Sequence, residues 1–494
     1  MRAAERKIDL STLLTSANLL VLGLIVFQAI RQQSNQYTNG ETLLLGVLLC
    51  LQTQVALIFE RFRRDPFVIL LAFSMIFYYS LRVFTLSLFG TSDVFLRFPY
   101  SVDDTNFALF YILIANLCLY AGLFSVGGKG AMSVNADGWE ATSPGRVVFV
   151  LLGAIVFSYL GGALWSGGMP RAINFIVLVL SPGMIVMLVL AYFILFRKTL
   201  SPVTGAAMIG LVLLEVAVHT VAGSRSAIVG LVQTSLLVML ALWGRIKFSK
   251  FLVGLGVAAT PILLATMVAS FAISSYNRFA KVAGEAPDLE RAAEFVAAST
   301  NDPLIVARLG IIAPAIASRA GFFDYSAEII AHRAQYSSVF NVGTYVKSII
   351  DNVLTPGGDV FDQPKIANSL QFVYRTWGTP SKTYVSEAYQ SDQIGIYGEF
   401  FALFGWASLP LLFMLTFTLK RVFVRLSSPN PYVFAMKRVV VLYIFVRTID
   451  TFGMDWTVTE AVPLVIAILA YSKFFTSRRV RLEDSPGSAY AAAH

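Results

Sequence analysis

The chain has 494 residues, of which 56% are hydrophobic and only 14% are charged, and its formal net charge is +9 at pH 7. This composition, with a mean hydropathy of +0.70, excludes a water-soluble globular protein and predicts a polytopic membrane protein. The positive charges lie in short clusters between apolar runs, which excludes a nucleic-acid-binding surface. Cys50 and Cys118 both lie inside apolar runs, so neither a disulfide framework nor a metal site is predicted from them.

Twelve apolar stretches approach the length of about 20 residues that a helix needs to cross a bilayer. In chain order they cover residues 9–30, 41–60, 66–90, 104–126, 147–165, 172–196, 203–221, 226–243, 251–273, 395–419, 432–452 and 456–475. The first is longer than the apolar core of a signal peptide and no small-residue cleavage site follows it, so we expect it to be retained. The predicted fold class is therefore an all-α polytopic membrane protein with about 12 transmembrane helices.

Basic residues predict the orientation of these helices. Lys and Arg residues fall in alternate loops, at 61–64, 129–146, 197–198, 245–250, 420–438 and 478–481. The positive-inside rule then makes both termini cytoplasmic and residues 274–394 one large external loop. Residues 1–273 carry the first nine predicted helices, residues 395–476 carry the last three, and residues 477–494 are predicted to form a disordered cytoplasmic tail.

The 274–394 loop is too polar to lie in lipid and too apolar to be a disordered linker. Within it, residues 303–318 are apolar, but their short length and the presence of Arg308 and Pro314 favour an interfacial or re-entrant helix over a thirteenth span. Asp324 is a candidate N-cap for a short amphipathic helix that runs to Tyr336. We expect this loop to cover a site at the outer face of the membrane.

A tight external turn, Gly223-Ser224-Arg225-Ser226, separates the seventh and eighth predicted helices. Gly223 can end one helix and Ser224 can cap the next, so helix N–H groups and the Arg225 guanidinium meet at one point. Such a corner suits a phosphate or a diphosphate. The alternative is that Arg225 extends to lipid headgroups at a helix end.

Three more arginines are candidates for binding the same anion. Arg82 lies within the third predicted helix, near the outer third of the bilayer, and Arg447 lies at a comparable predicted depth in the eleventh. Arg278 follows the ninth. For Arg447 the alternative is a structural ion pair with Asp450. Together with Arg225, these residues are predicted to surround a diphosphate in the outer leaflet.

Three residues are candidates for accepting a proton from an attacking hydroxyl. Glu215 lies four residues before His219 on one face of the seventh helix, as part of a proton relay or as the neutralising partner of an arginine. His332 lies in the predicted external helix, where it is either a general base or a solvent-facing residue without a role. Glu399, at the predicted outer start of the tenth helix, is a candidate base, sugar ligand or helix-terminal carboxylate.

Aromatic residues cluster before the tenth predicted helix, with Tyr374, Arg375, Trp377 and Tyr384. Aromatic faces with interleaved polar groups are typical of sugar-binding sites and equally of the aromatic belt at a membrane interface. The three histidines are too few, and the carboxylates too scattered, for a metal centre. No nucleotide-binding motif occurs, so neither a metal nor a cofactor is predicted.

The pattern resembles the bacterial O-antigen polymerases of the Wzy type, a family of oligosaccharide repeat-unit polymerases. The resemblance rests on the many spans with one large external loop in the C-terminal third, on the Gly223 to Ser226 turn, and on GIYGEFFALFG at residues 395–405. It implies a C-type glycosyltransferase of the inner membrane that transfers a growing glycan from one undecaprenyl diphosphate to a sugar hydroxyl of another lipid-linked unit. Nucleotide sugar and metal are not required. The implied partners are undecaprenyl-diphosphate-linked oligosaccharides, membrane lipids and a chain-length regulator.

Carried over to this chain, the resemblance implies that Arg225 binds the donor diphosphate. It also places Glu399 in the GIYGEFFALFG motif. His332 corresponds to the external-loop histidine of the related ligases in position only. The spacing of an arginine, ten residues and a glycine that some polymerases have is absent from 274–393, so Arg308 and Arg319 receive no role. The alternative functions are an O-antigen ligase, which transfers to lipid A core, and a transporter of polyprenol-linked glycans, although the chain shows no internal repeat of the kind that transporters have.

Overall fold

The structure is a computed structural model, which describes residues 7–32, 34–60, 62–90, 100–127, 139–141, 145–150, 152–153, 182–196, 200–221, 227–244, 246–249, 254, 294, 323–336, 341–343, 345–347, 350, 395–450, 461, 464–466 and 476–478. These residues are mostly helical. Nearly all of the predicted ninth and twelfth helices lies outside the described residues, as do residues 303–318 and 351–394 of the predicted external loop.

The helices are, in chain order, α1 (Leu10–Ile30), α2 (Gly40–Ile58), α3 (Pro66–Phe89), α4 (Val102–Ser125), α5 (Pro182–Phe196), α6 (Pro202–Val221), α7 (Ala227–Trp243), α8 (Phe323–Ala331), α9 (Arg333–Tyr336), α10 (Gly395–Phe404), α11 (Ser408–Arg425) and α12 (Pro431–Asp450). Four short strands, β1 (Lys7–Asp9), β2 (Trp139–Ala141), β3 (Lys247–Ser249) and β4 (Thr476–Arg478), form two antiparallel pairs, β1 with β3 and β2 with β4. The all-α prediction is therefore right for the main elements but omits these strands.

Within the described residues, five helical stretches are long and apolar enough to cross a membrane. They are α1, α2, α3, α4 and the interval Gly395–Arg425. This confirms the prediction of a membrane protein with many apolar helices, and the first four stretches match the first four predicted spans. The count of twelve spans and the orientation stay predictions.

Capping side chains explain where two of these helices begin. At the start of α2, the Asn39 side chain accepts a hydrogen bond from the Thr42 backbone N–H at 2.9 Å, and the Thr42 side chain accepts one in return. At the start of α4, Ser101 and Asp104 form the same reciprocal arrangement. These bonds satisfy N–H groups that a helix start leaves without partners. Each apolar run thus begins at a defined residue.

Helices α4 and α11 run parallel and in register, because three contacts between them join residues separated by the same 297 positions. The contacts are Tyr111 with Ser408 at 2.7 Å, Leu119 with Thr416 at 3.0 Å and Leu123 with Lys420 at 2.6 Å. A constant offset between two helices requires that they point in the same direction. This is the relative direction predicted for the fourth and tenth spans.

Gly122 of α4 permits the close approach of α11. A Cβ atom at this position would overlap Thr416 Oγ1 and the carbonyl oxygen of Phe413. We expect Gly122→Val to lower stability by about 1–3 kcal/mol, since overpacking shifts both helices. The measurement is the fraction of purified protein that stays monodisperse in detergent after a series of heating steps. Gly23→Val is the matched control, because a Cβ at Gly23 meets nothing within 4 Å; equal losses in both variants would contradict the expectation.

Two polar regions mark opposite ends of the helical bundle. At the first, which we call the basic end, Lys420 pairs with Asp65 at 2.6 Å and Arg63 pairs with Asp9 at 3.8 Å. The basic end also carries the β1–β3 pair, since β1 directly precedes α1. At the second, which we call the far end, the turn before α2 meets the start of α4 and the end of α3. Thr42 donates a hydrogen bond to Asn106 there at 2.6 Å.

The Gly395–Arg425 interval is apolar enough for the predicted tenth span, but it folds into two antiparallel helices. In α10 the Tyr397 hydroxyl reaches Asn116, while the Phe401 ring lies 4.6 Å from the Tyr111 ring, so α10 runs opposite to α4. Helix α11 then runs parallel to α4. The reversal occurs at Gly405, whose φ of 57° lies in the left-handed region that favours glycine.

Helix α10 therefore begins deep in the protein rather than at its far end. Asn116, which receives the Tyr397 hydrogen bond at 3.3 Å, is fourteen residues beyond the start of α4, or about 21 Å along that helix. All residues from Gly395 to Leu403 are buried. Glu399 accordingly differs from its predicted position at the outer start of a span and lies inside the bundle.

Candidate functional site

Helix α8 lies inside the protein, packed against α4 and α10. Every residue from Phe323 to Ile330 is buried. A helical segment from Asp324 to Tyr336 was predicted and is confirmed as α8 and α9, but Asp324 lies within the first turn of α8 instead of capping it. Helix α8 is also not an amphipathic surface helix. Its polar side chains have partners within the protein, which is what makes burial on all faces possible.

The side chains of Arg82 and Asp324 join α3 to α8 through a buried ion pair. Arg82 Nε donates to Asp324 Oδ1 at 3.1 Å and Nη2 donates to Oδ2 at 2.8 Å, with side-chain exposures of 1% and 4%. Arg82 also donates to the Gly90 carbonyl at 3.0 Å and to Thr85 at 3.2 Å, and Tyr100 donates to Asp324 at 3.3 Å. The guanidinium is thus held in place by protein groups. Diphosphate binding by Arg82 stays a prediction that nothing in this geometry tests.

Two more buried carboxylates lie on the packed pair α8 and α10. Glu328 of α8 accepts a hydrogen bond from the Tyr336 hydroxyl, and Glu399 of α10 accepts one from the Tyr345 hydroxyl. Both glutamates are nearly inaccessible to solvent. A carboxylate at this depth requires such partners, because burial without them costs several kcal/mol. Sequence reasoning found Glu399 but did not assign a role to Glu328.

His332 lies at the turn between α8 and α9 and is half-buried. Its backbone N–H donates to the Glu328 carbonyl at 2.9 Å, so the helical geometry of α8 continues to this residue. Asp324, Glu328 and His332 follow one another at intervals of four residues and therefore share one face. Asp324 and Glu328 are buried and His332 is half-buried, with its Nε2 atom shielded from solvent. The alternative of a solvent-facing residue without a role does not fit this partial burial, and the role of general base stays a prediction.

Arg333 is an exposed residue whose side chain is nevertheless fixed against α10. Its Nε donates to the Ala402 carbonyl at 3.1 Å and its guanidinium lies 5.9 Å from the centre of the Phe401 ring. The guanidinium atoms lie 3.1–3.5 Å from where a Cβ of Gly405 would be. No role was assigned to Arg333 from the sequence. Two available signals were its place next to His332 and the glycine that closes the GIYGEFFALFG motif.

A polar network deep in the bundle supports α10. Asn116 donates to Gln52 at 2.7 Å and accepts from Tyr397 at 3.3 Å, while the Tyr397 hydroxyl also contacts Met75 Sδ at 3.2 Å. The network connects α10 to α2, α3 and α4. It fixes the start of α10 and thereby the position of Glu399, which is two residues further along.

Arg447 does not join Arg82. Its Nε donates to the Tyr443 hydroxyl at 3.0 Å, and the neighbouring Phe445 ring lies 4.9 Å from Phe67, at the start of α3. Arg82 lies fifteen residues beyond Phe67 on α3, which corresponds to roughly 20 Å along the helix. The two arginines are therefore at different levels of the bundle, and the comparable depth expected from the sequence is not found.

The remaining predicted site residues have side chains outside the described part of the structure. Glu215 lies on α6, and its side chain is outside the described part of the structure. The residues that lie wholly outside it are Arg225, Arg278, Tyr374, Arg375, Trp377 and Tyr384.

The arrangement brings together three carboxylates, one imidazole and two guanidinium groups around α8. Such a set can accept a proton at His332 and bind an anion at Arg333, while the buried carboxylates orient the helices. Among the described residues, no three His, Cys, Asp or Glu side chains are placed to hold a metal ion. Comparison with models of protein families, with curated proteins and with solved structures found no match to this chain.

Proposed function

We propose that this protein polymerises undecaprenyl-diphosphate-linked oligosaccharide repeat units at the periplasmic face of a bacterial inner membrane. The observation that carries the proposal is the adjacency of half-buried His332 and exposed Arg333 at the end of α8, beside the buried, acidic α8–α10 pair. The same helix α8 also carries Asp324, whose pair with Arg82 lies at the far end of the bundle, away from the basic end. A base and a cation beside each other meet the two chemical needs of glycosyl transfer from a lipid diphosphate.

In the proposed reaction the bond between the anomeric carbon of the donor glycan and the diphosphate oxygen breaks. The electron pair leaves with the diphosphate, and a glycosidic bond forms to a hydroxyl oxygen of the acceptor unit. His332 accepts the hydroxyl proton. Guanidinium groups stabilise the growing charge on the diphosphate, most strongly where water is excluded. No nucleotide sugar enters, since the donor already carries the activated bond.

The remaining roles in the proposal rest on the sequence. Arg225 and Arg278 bind the donor diphosphate at helix ends, and Tyr374, Arg375, Trp377 and Tyr384 bind sugar rings. A chain-length regulator is a proposed partner. Arg82 contributes by holding α8 through Asp324, which keeps His332 in position.

A transporter of polyprenol-linked glycans is the second candidate, because α10 begins deep in the bundle at Gly395. Short helices that begin near the middle of the membrane are typical of secondary transporters, where they line the substrate site. Their occurrence in pairs is part of that pattern, and within the described residues α10 is the helix with such a start. The polymerase is preferred because His332 and the exposed Arg333 supply reactive groups that transport does not need.

The decisive experiment uses the purified full chain in proteoliposomes with lipid-linked repeat units and no nucleotide sugar. We expect longer glycans on undecaprenyl diphosphate, detected by mass spectrometry of the lipid fraction. Movement of the lipid across the bilayer without glycan extension would contradict the proposal and support the transporter. Transfer only to added lipid A core would identify a ligase instead.

Replacing His332 by alanine tests its role as the base. We expect turnover to fall by about 10²- to 10⁴-fold, the usual contribution of a general base, while the KM for lipid-linked substrate changes little. The rate of chain growth at saturating substrate is the measurement. Gln335→Ala is the control, because Gln335 is an exposed neighbour on α9. Unchanged turnover in the His332 variant would remove it from the proposed reaction.

A further inference from the structure

We propose that Arg333 is a preformed oxyanion-binding site for a phosphate or carboxylate group of the lipid-linked substrate. The inference deepens the proposed function, on which the identity of the substrate rests. Four features of Arg333 favour binding of an oxyanion: its fixed side chain, its close approach to Gly405, its remaining hydrogen-bond donors and its lack of an acidic partner among the described residues.

The side chain of Arg333 is exposed but ordered by two contacts with α10. The Nε hydrogen bond to Ala402 at 3.1 Å and the stacking over Phe401 at 5.9 Å hold the guanidinium plane against the end of α10. An exposed arginine normally loses side-chain entropy when it binds a ligand. In Arg333 the contacts with α10 already restrict the side chain before a ligand binds, so little further entropy is lost and binding is favoured.

Gly405 allows the guanidinium to approach the chain reversal closely. The Nη1, Cζ and Nη2 atoms of Arg333 are 3.1, 3.2 and 3.5 Å from the position of a Cβ at this residue. A Cβ here would make the guanidinium shift by a few tenths of an ångström, and the φ of 57° independently favours glycine. Glycine at this position thus permits both the reversal of the chain and the close approach of the Arg333 guanidinium.

Donor capacity remains on the guanidinium after these contacts. Arginine has five N–H groups, and within the described residues the only hydrogen bond of Arg333 uses the single N–H on Nε. The four N–H groups on Nη1 and Nη2 form the fork that binds two oxygens of a carboxylate or phosphate side by side.

Arg333 also lacks an acidic partner among the described residues, whereas three other described arginines have one. Arg82 pairs with Asp324, Arg63 with Asp9 and Arg64 with Glu60. The charge of Arg333 is therefore not neutralised by the described protein groups, although it lies next to His332, the proposed base. A structural role at the end of α10 would need one donor only, and the backbone bond to Ala402 already fulfils it.

Two groups of a lipid-linked glycan have the required chemistry: the diphosphate and the carboxylate of an acidic sugar. The experiment distinguishes them with farnesyl diphosphate, farnesol and glucuronate as probes, titrated into the full chain in nanodiscs by isothermal calorimetry. If the diphosphate is the ligand, Arg333→Ala is expected to weaken farnesyl diphosphate binding at least about tenfold, the value of a charge-assisted hydrogen bond. If the sugar carboxylate is the ligand, the same loss appears with glucuronate alone.

Two further variants make the test specific. Arg333→Lys keeps the charge but not the fork, so we expect binding intermediate between wild type and Arg333→Ala. Arg421→Ala is the matched control, since Arg421 is also exposed and stacked, at 5.6 Å over Phe417 on α11, where Lys420 marks the basic end. We expect this control to bind both probes as wild type does.

Unchanged affinity of Arg333→Ala for both anionic probes would overturn the site, whatever the polymerisation assay shows. Equal loss of farnesol binding would also overturn it, because farnesol carries no oxyanion. Conversely, Arg333-dependent binding in a protein that does not extend glycans would preserve the site and contradict the proposed polymerase.

Discussion

Asp324→Ala is expected to destabilise the protein by about 3–5 kcal/mol, because it leaves the Arg82 guanidinium buried without its counter-ion. Arg82 has a side-chain exposure of 1%, so water cannot replace the two hydrogen bonds at 2.8 and 3.1 Å that Asp324 accepts. The bonds from Arg82 to Gly90 and Thr85 go to neutral groups and do not neutralise the charge. This is the largest loss of stability that we expect from a single substitution at the far end.

The measurement is the midpoint of thermal inactivation of the purified protein in detergent, followed by monodispersity. Asp324→Asn should lose less than Asp324→Ala, since the amide oxygen can still accept from Arg82. The double variant Arg82→Met with Asp324→Leu should recover part of the loss, because replacing a buried ion pair by apolar residues of similar volume is often neutral. A double variant as unstable as the sum of the two single variants would contradict this account.

The same substitution is expected to abolish chain growth in the protein that remains folded. Asp324 begins the face of α8 that continues to Glu328 and His332, so a detached α8 would carry the proposed base away from its position. Chain growth per mole of folded Asp324→Ala, compared with wild type, is the readout. Wild-type activity in that fraction would mean that the ion pair is not needed to position α8.

The pairing of Arg82 with Asp324 could not be predicted from the sequence. Arg82 is recognisable as an ionisable residue at membrane depth, and such residues commonly mark a site or require a partner. Asp324 is recognisable only as a helix-start residue. The two are separated by 242 positions, and no periodicity in one sequence connects them. The helices were predictable from local patterns, but the contact depends on how α8 enters the bundle.

The sequence around Gly405 contains residues typical of a helix end and a new helix start, but the apolar run in which they lie favoured a single helix. Gly405 fits the residue after a helix end, and Pro410 fits the first turn of the next helix. The hydropathy between 395 and 419 nevertheless favours one continuous span, since both helices are apolar. For α1 to α4 no such conflict arises, and predicted and observed bounds agree within two residues.

Lys420→Met is expected to cause the second large loss of stability, at the basic end of the bundle. Lys420 Nζ lies 2.6 Å from Asp65 Oδ2 and donates to the Leu123 carbonyl at 2.6 Å, with side-chain exposures of 8% and 12% for the pair. Methionine keeps the length of the side chain but removes the charge, so Asp65 stays largely buried without its cation. We expect a loss of about 3 kcal/mol, at the lower end for a buried pair because Asp65 keeps its hydrogen bond from Phe67 N–H.

Comparison of Lys420→Met with Asp324→Ala separates stability from chemistry. Both variants break a buried ion pair, but Lys420 is on α11 near its basic end, while Asp324 holds α8 beside His332. We therefore expect Lys420→Met to lower the thermal midpoint while keeping chain growth per mole of folded protein near wild type. A loss of activity as large as that of Asp324→Ala would mean that general loosening of the bundle is sufficient to stop the reaction. The defect of the Asp324 variant could then no longer be assigned to the position of α8.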